Sequence, residues 1–322
     1  MGHKKQLETL MWGLEKDRLH HAYLFLGPEG VGKRTIALSF AMAVQCLERA
    51  HDFCDRCANC VRVRTGNHPD VRVVGPSTGK KEISIEQVRE LGRELNFRPF
   101  SARKKIAVLD PAPLMNSSAQ NALLKTLEEP PRDSLVILIS PSTGGLLPTL
   151  LSRCLRLSFA PLPVELLASF LVSQKSKKPE EAEFLAAMAM GSLGRATSPD
   201  VEGLMERRRG WVEQICSLTQ GNVNGGVALA EELAGVREEC LKFLEWVGGW
   251  YRDILIYCVT GSSQGICNLD MMNKIEQQAA IYSLERILFL LSQVVRTTAS
   301  IQRNVNRRMA LENFFSYAVR TH

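Results

Sequence analysis

The fold class read from the sequence is α/β: a P-loop domain with a parallel sheet, followed by a small helical domain and an all-helical domain. Three observations carry it. Over residues 22–160 short apolar runs alternate with helical stretches, the pattern of repeated strand-helix-strand units. A glycine-rich loop stands between the first of those runs and the first helix, and after Pro161 and Pro163 the strand signal stops.

The expected strands are 22–26, 70–74, 106–109, 135–140 and 154–157, with helices near 33–49, 85–96 and 118–128. Ser84 with Gln87 three residues on reads as a capping box that opens the second helix. Residues 164–173 and 180–190 read as two further helices, the latter preceded by Pro179 and ended by Gly191. From about 201 onward every periodic segment is helical. There Leu284, Ile287, Leu288, Leu291 and Val295 form an apolar stripe expected to face a core, with Glu285, Arg286 and Gln293 opposite. The stretch 261–265 reads as a turn between helices.

Composition narrows the class. With 45% hydrophobic and 23% charged residues in 322, the chain matches soluble globular usage and excludes collagen, coiled-coil and low-complexity scaffolds. No apolar run approaches the roughly 20 residues of a membrane helix. Met1-Gly2-His3-Lys4-Lys5 leads into no signal-type apolar core, so a cytoplasmic protein with no membrane partner is expected. The net charge of +6 permits a nucleic-acid partner without requiring one. Of the nine cysteines, four crowd into residues 46–60, which in a reducing compartment points to a metal rather than to disulfides.

Gly27-Pro28-Glu29-Gly30-Val31-Gly32-Lys33 follows an expected strand and opens an expected helix, the context of a phosphate-binding P-loop. Its glycines let backbone amides turn onto phosphate oxygens, and the lysine reaches the β and γ phosphates. The next position, where a hydroxyl would meet Mg²⁺, is Arg34, and Thr35 comes one residue late. The strand ending at Asp110 continues Pro111-Ala112-Pro113 with no second carboxylate. Gly27, Gly30, Gly32 and Lys33 therefore form a degenerate nucleotide loop in which hydrolysis is not expected and ATP binding is doubtful.

Cys46, Cys54, Cys57 and Cys60 are spaced C-x7-C-x2-C-x2-C, on a helix end and the loop after it. Four thiolates select Zn²⁺ and close its tetrahedral shell, the pattern of a structural rather than a catalytic ion. His51 and His68 are spare ligands nearby that read more simply as surface histidines. Cys154, Cys216, Cys240, Cys258 and Cys267 read as core or incidental. Arg153, in Ser152-Arg153-Cys154 at a strand start, could reach a neighbour's nucleotide site; alone such an arginine reads as a solvated surface charge, but in a chain with a damaged loop of its own it suggests service to another subunit.

These residues carry a resemblance. His21-Ala22-Tyr23-Leu24-Phe25 running into the glycine loop, Asn121-Ala122-Leu123-Leu124-Lys125-Thr126-Leu127-Glu128-Glu129-Pro130-Pro131, Leu147-Pro148-Thr149 and Ser152-Arg153-Cys154 resemble the bacterial clamp-loader branch of the AAA+ ATPases. The four-cysteine insert and Trp250-Tyr251-Arg252-Asp253 are similar to its DNA polymerase III subunits that do not turn over ATP, with Asn304-Val305-Asn306 and Leu311-Glu312 echoing the last helices.

The resemblance implies an AAA+ domain over 1–160 with the insert at 46–60, a helical lid over 161–200 and a helical collar over 201–322. It also implies a five-subunit ring with the gamma/tau motor subunit and the delta subunit, which opens a sliding clamp and closes it around primed DNA. Arg153 is then an arginine finger supplied in trans. In the motor subunits an arginine stands in the lid's Gly-Ser motif. Here that position is Gly194 in Gly191-Ser192-Leu193-Gly194, with Arg195 one place along as a partial substitute. Trp211, Trp246, Trp250, Tyr251, Phe314 and Phe315 are expected to contribute aromatic surface to the assembly interface.

Two other readings make different predictions. A motor-type clamp-loader ATPase that tolerates Arg34 predicts turnover by the isolated chain. A zinc-dependent nucleic-acid-binding module, using the basic stretches 62–72 and 103–105 against phosphates, predicts salt-dependent DNA binding by the monomer.

Overall fold

The structure is a computed structural model of the chain and describes residues 2–101, 103–197, 201–218, 222–303 and 305–319. Asn304, and residues 198–200 between the second and third expected domains, lie outside the described residues. The chain divides into two compact units, Met1–Thr197 and Ser198–His322.

The first unit is built on five parallel strands, β1 (Ala22–Leu26), β2 (Val71–Val74), β3 (Lys105–Leu109), β4 (Ser134–Ser140) and β5 (Leu155–Ser158), in the order β2-β3-β4-β1-β5. Its helices are α1 (Lys4–Glu15), α2 (Lys33–Gln45), α3 (Ala58–Arg64), α4 (Ile85–Leu95), α5 (Ser117–Glu128), the single turn α6 (Pro148–Leu151), α7 (Val164–Lys175), α8 (Pro179–Met188) and α9 (Leu193–Ala196). A parallel sheet covered on both faces needs strands apolar on both sides, and β4 is buried at all seven positions. Successive side chains alternate between two cores. Tyr23 and Phe25 join Phe40 and Ile137 on one face, while Ala22 and Leu24 join Leu123 and Leu138 on the other.

The expected strands and the α4 capping box are present, with the Ser84 Oγ accepting the Gln87 N–H at 3.4 Å and Gln87 Oε1 accepting the Ser84 N–H at 3.0 Å. Four helices of the first unit go beyond the sequence reading, the short α6 and α9 among them. The helix α1 precedes the sheet, and α3 sits inside the cysteine segment, so that Cys60 is helical rather than in a loop. The helix α2 stops at Gln45 because Cys46 turns to extended backbone, at φ −62° and ψ 134°.

One buried carboxylate ties the α4–β3 connection to the sheet. Asp70 accepts the Phe100 and Ser101 N–H groups at 2.8 Å and faces Lys105 Nζ at 3.3 Å. Burial pushes its pKa up, but the two N–H donors and Lys105 outweigh that and hold it below the ordinary value. A depressed carboxyl stabilises the fold fully above the unfolded-chain value of about 3.9, and that contribution is lost as pH falls through the folded value. Asp70→Asn is expected to cost about 2 kcal/mol at neutral pH in urea titrations, and the gap to wild type should narrow in the same titrations below about pH 4.

The second unit comprises α10 (Val201–Leu218), α11 (Val223–Ala234), α12 (Arg237–Thr260), α13 (Met272–Ile281), α14 (Leu284–Gln302) and α15 (Arg307–Val319). Gly261 ends α12 in the left-handed conformation, φ 61°, as the turn reading requires. Two expectations are corrected here. Trp211, Trp246, Trp250, Tyr251, Phe314 and Phe315 are all buried in the core of this unit, packed ring against ring, and offer no surface to a partner. On α14 the buried line is Ile287, Leu290, Val294 and Ile301, whereas Leu284, Leu288 and Val295 are exposed. Of the predicted stripe only Ile287 is fully buried, and Gln293, read as outward, is buried as well.

Candidate functional site

Three sets of residues singled out by the sequence lie in the first unit. At the first, Gly27, Gly30 and Gly32 all take positive φ, which bends the loop between β1 and the start of α2. Gly30 also has no room for a side chain, since a Cβ there would stand 2.1 Å from Ser192 Oγ. Its carbonyl accepts the Gly194 N–H at 3.0 Å, so the loop is joined directly to the start of α9. Beside it opens a cavity of about 490 Å³, lined among others by Gly32, Lys33, Arg34, Asp110, Leu193 and Gly194. Arg195, the partial substitute expected from the sequence, is not among the lining residues.

Within that cavity the charged groups are already engaged. The buried Lys33 ammonium donates to the carbonyls of Gly27 and Pro28, the latter at 2.6 Å. Burial lowers its pKa against the opposing pull of Glu29 and Asp110. The Arg34 guanidinium faces Asp110 at 3.4 Å. A divalent ion bridging phosphates would need that carboxylate and would meet the Arg34 charge instead. Arg34 thus competes with any such ion for the Asp110 carboxylate.

The second set is Cys46, Cys54, Cys57 and Cys60, whose sulfurs all lie within 4.8 Å of one another. Cys46 ends α2, Cys57 is the N-cap of α3 and Cys60 lies in its first turn. Asp55, in the left-handed region at φ 59°, makes the tight bend between Cys54 and Cys57. Backbone N–H groups point at the sulfurs, from Arg49 to Cys46 at 3.4 Å, from Cys57 to Cys54 at 3.2 Å and from Cys60 to Cys57 at 3.5 Å.

Burial pushes these thiols up. At Cys57 the N–H groups of Leu47 and Cys60 and the neighbouring thiols overcome it and bring the pKa down to about 6, while Cys60 is pushed up to about 12. For all four to ionise this close, a cation would have to lie among them. A tetrahedral ion at a metal–sulfur distance of about 2.3 Å wants its sulfurs about 3.8 Å apart. The four thiols are close enough to hold one metal ion among them, and His51 and His68 are not part of the cluster.

The third set centres on Arg153, just after α6. Its Nη1 donates to Thr149 O at 2.9 Å, and its Nη2 pairs with Glu128 Oε1 at 2.7 Å. Glu128, the last residue of α5, carried no signal of this role in the sequence beyond its place in the Glu-Glu-Pro-Pro run. Leu155 stands level with Tyr23 across the parallel β1–β5 pair. Gly27 thus lies four residues, roughly 13 Å, beyond that level along the strands, while Arg153 lies before it. The arginine and the chain's own glycine loop are at opposite ends of the sheet, and the structure brings them nowhere near each other.

Comparison with known proteins places the chain. The family model described as "DNA polymerase III, delta subunit" matches residues 2–163, and the one described as "DNA polymerase III, delta subunit, C terminal" matches 203–317. The DNA polymerase III subunit delta' of Pseudomonas aeruginosa is 34% identical over 304 residues, covering 91% of this chain and 89% of that protein. The delta' subunit of Escherichia coli K12 is 27% identical over 96% of this chain and 91% of its own length. The tau subunit of Bacillus subtilis is 27% identical over 83% of this chain, which spans 51% of that longer protein. Matched by the family models over both units and by a relative across nine tenths of its length, the chain belongs to the DNA polymerase III delta' family.

Proposed function

We propose that this protein is the ring subunit of a DNA polymerase III clamp loader that does not itself hydrolyse ATP and that supplies Arg153 to the ATP site of a neighbouring motor subunit. The observation that carries this reading is the position of Arg153 at the end of the parallel sheet remote from its own glycine loop. An arginine there has no nucleotide of its own chain to serve. Lys33 spent on loop carbonyls and Arg34 set against Asp110 support the absence of turnover.

In this reading residues 1–160 form the AAA+ domain, 161–200 its lid and 201–322 the collar that holds the subunit in a five-membered ring with gamma/tau and delta. The ring opens the sliding clamp and closes it around primed DNA, in the cytoplasm. The four cysteines hold a structural Zn²⁺. Among the described residues no helix is long and apolar enough to cross a membrane.

The test is ATP hydrolysis by the purified chain, alone and then reconstituted with motor and delta subunits. The isolated chain is expected to give no turnover above background. Turnover by the isolated chain that disappears in Lys33→Ala would replace this reading with that of a motor ATPase.

A further inference from the structure

A second cavity of the first unit, about 780 Å³, is larger than the one at the glycine loop. It opens along β2, an edge strand that among the described residues pairs only with β3. One wall is the end of α3 and the loop after it, from Val63 to Pro69. The other is Glu94 and Phe97 at the end of α4. Four cations line it, Arg34, Arg64, Arg72 and Lys105, against the single carboxylate of Glu94. Arg62, Arg98 and Arg103 are exposed in the same segments. Phe97 is 69% exposed and Phe100, three residues on, 85%, so two bare aromatic rings stand in a basic surface.

Each lining cation has a carboxylate neighbour: Arg64 with Asp55 at 2.8 Å, Arg72 with Glu94 at 3.9 Å, Lys105 with Asp70 at 3.3 Å and Arg34 with Asp110 at 3.4 Å. A guanidinium carries five N–H donors, so one such pair leaves donors for a phosphate. His68 adds a further polar group in the lining. It is only 4% exposed, its Nδ1 accepts the Asp70 N–H at 3.0 Å, and its Nε2 has no hydrogen-bond partner. An apolar protein partner would explain the phenylalanines but not the arginines. Duplex DNA would explain the arginines but not the bare rings, because its bases are already stacked.

We infer that this cleft binds single-stranded nucleic acid, with a base stacked on Phe97 and the adjoining phosphates on Arg64 and Arg72. Aromatic platforms beside a basic groove are how unpaired strands are held without sequence preference. The placement also gives the four-cysteine insert a task, since Cys57 and Cys60 fix the start of the α3 wall that ends at Arg64. The inference is independent of what Arg153 does.

The experiment is fluorescence anisotropy of the full chain with a labelled oligothymidylate of about 12 nucleotides, titrated from low to high salt. The wild type is expected to bind at low salt. Phe97→Ala should weaken binding about tenfold. Arg64→Ala with Arg72→Ala should flatten the slope of log affinity against log salt by roughly 1.4, the loss of two phosphate contacts to a single strand. Phe97 and Arg64 are exposed, so neither substitution endangers the fold. No binding at the lowest salt overturns the inference. So do variants that bind like the wild type, a blunt duplex that binds as tightly as the single strand, and an acidic polypeptide that competes equally well.

Discussion

Arg153→Ala in a fully assembled loader, with clamp and primed DNA present, is expected to lower ATP turnover by at least tenfold. An arginine supplied in trans to a transferring phosphoryl group is worth roughly 10³–10⁵ where it has been dissected. In the isolated chain the side chain is held only by surface contacts. Its pair with Glu128 is half-exposed, with 34% of the Arg153 and 48% of the Glu128 side chain open to solvent. Such pairs contribute about 0–1 kcal/mol, so exchanging Glu128 for a phosphate costs little. Meanwhile the pair and Thr149 O hold the guanidinium in one orientation, which would limit the entropy lost if it engaged a phosphate in trans. Arg153→Lys should rescue poorly, because a point charge does not reproduce the planar fork. Size-exclusion chromatography of the variant loader separates a catalytic loss from failed assembly. Normal turnover in an intact ring would sink the finger reading.

Emptying the four-cysteine site of a metal is expected to carry the other large effect. The purified chain is expected to hold one zinc ion per molecule, read by elemental analysis, and chelation or Cys57→Ser should lower the melting temperature sharply. Structural zinc in small modules contributes about 10–16 kcal/mol of folding free energy at neutral pH. Only a part of that falls on this fold, because the sheet has cores of its own. The effect is not confined to the loop, however. Cys46, Cys57 and Cys60 are buried in the same cluster as Phe40, Val44 and Val63, so opening the cysteine site uncovers the outer face of α2. A metal-free preparation with an unchanged melting curve after chelation would show that the four thiols are merely close.

The sequence was legible where one local rule acts alone. The glycine loop, the capping box of α4 and the apolar runs of the buried strands each follow from neighbouring residues, and each stands where it was expected. The four cysteines were legible as a set, since no packing argument gathers so many thiols in so short a polar segment. The face of α14 was not. In Leu284–Gln302 apolar residues fill two adjacent lines, and helical period alone cannot choose between the one through Leu288 and Val295 and the one through Leu290 and Val294. Packing against α12 and α15 decides it. The aromatic residues of the second unit misled for a related reason. A sequence shows how much ring surface there is, not that Trp211, Phe243, Trp246 and Phe315 interlock and consume it. Likewise the turn of Lys33 back onto its own loop depends on carbonyl positions that no spacing records.

The burial of those rings has a spectroscopic consequence. Of the four tryptophans, Trp211, Trp246 and Trp250 are sealed inside the helical unit, while Trp12 on α1 is 54% exposed. Indole emission of the native chain is therefore dominated by blue-shifted light from one unit, and the red shift on denaturation reports the melting of that unit alone. The sheet unit is optically almost silent, and its unfolding has to be followed by backbone dichroism. Where the two signals do not coincide, the halves of the chain come apart separately, and a single melting temperature does not describe the molecule.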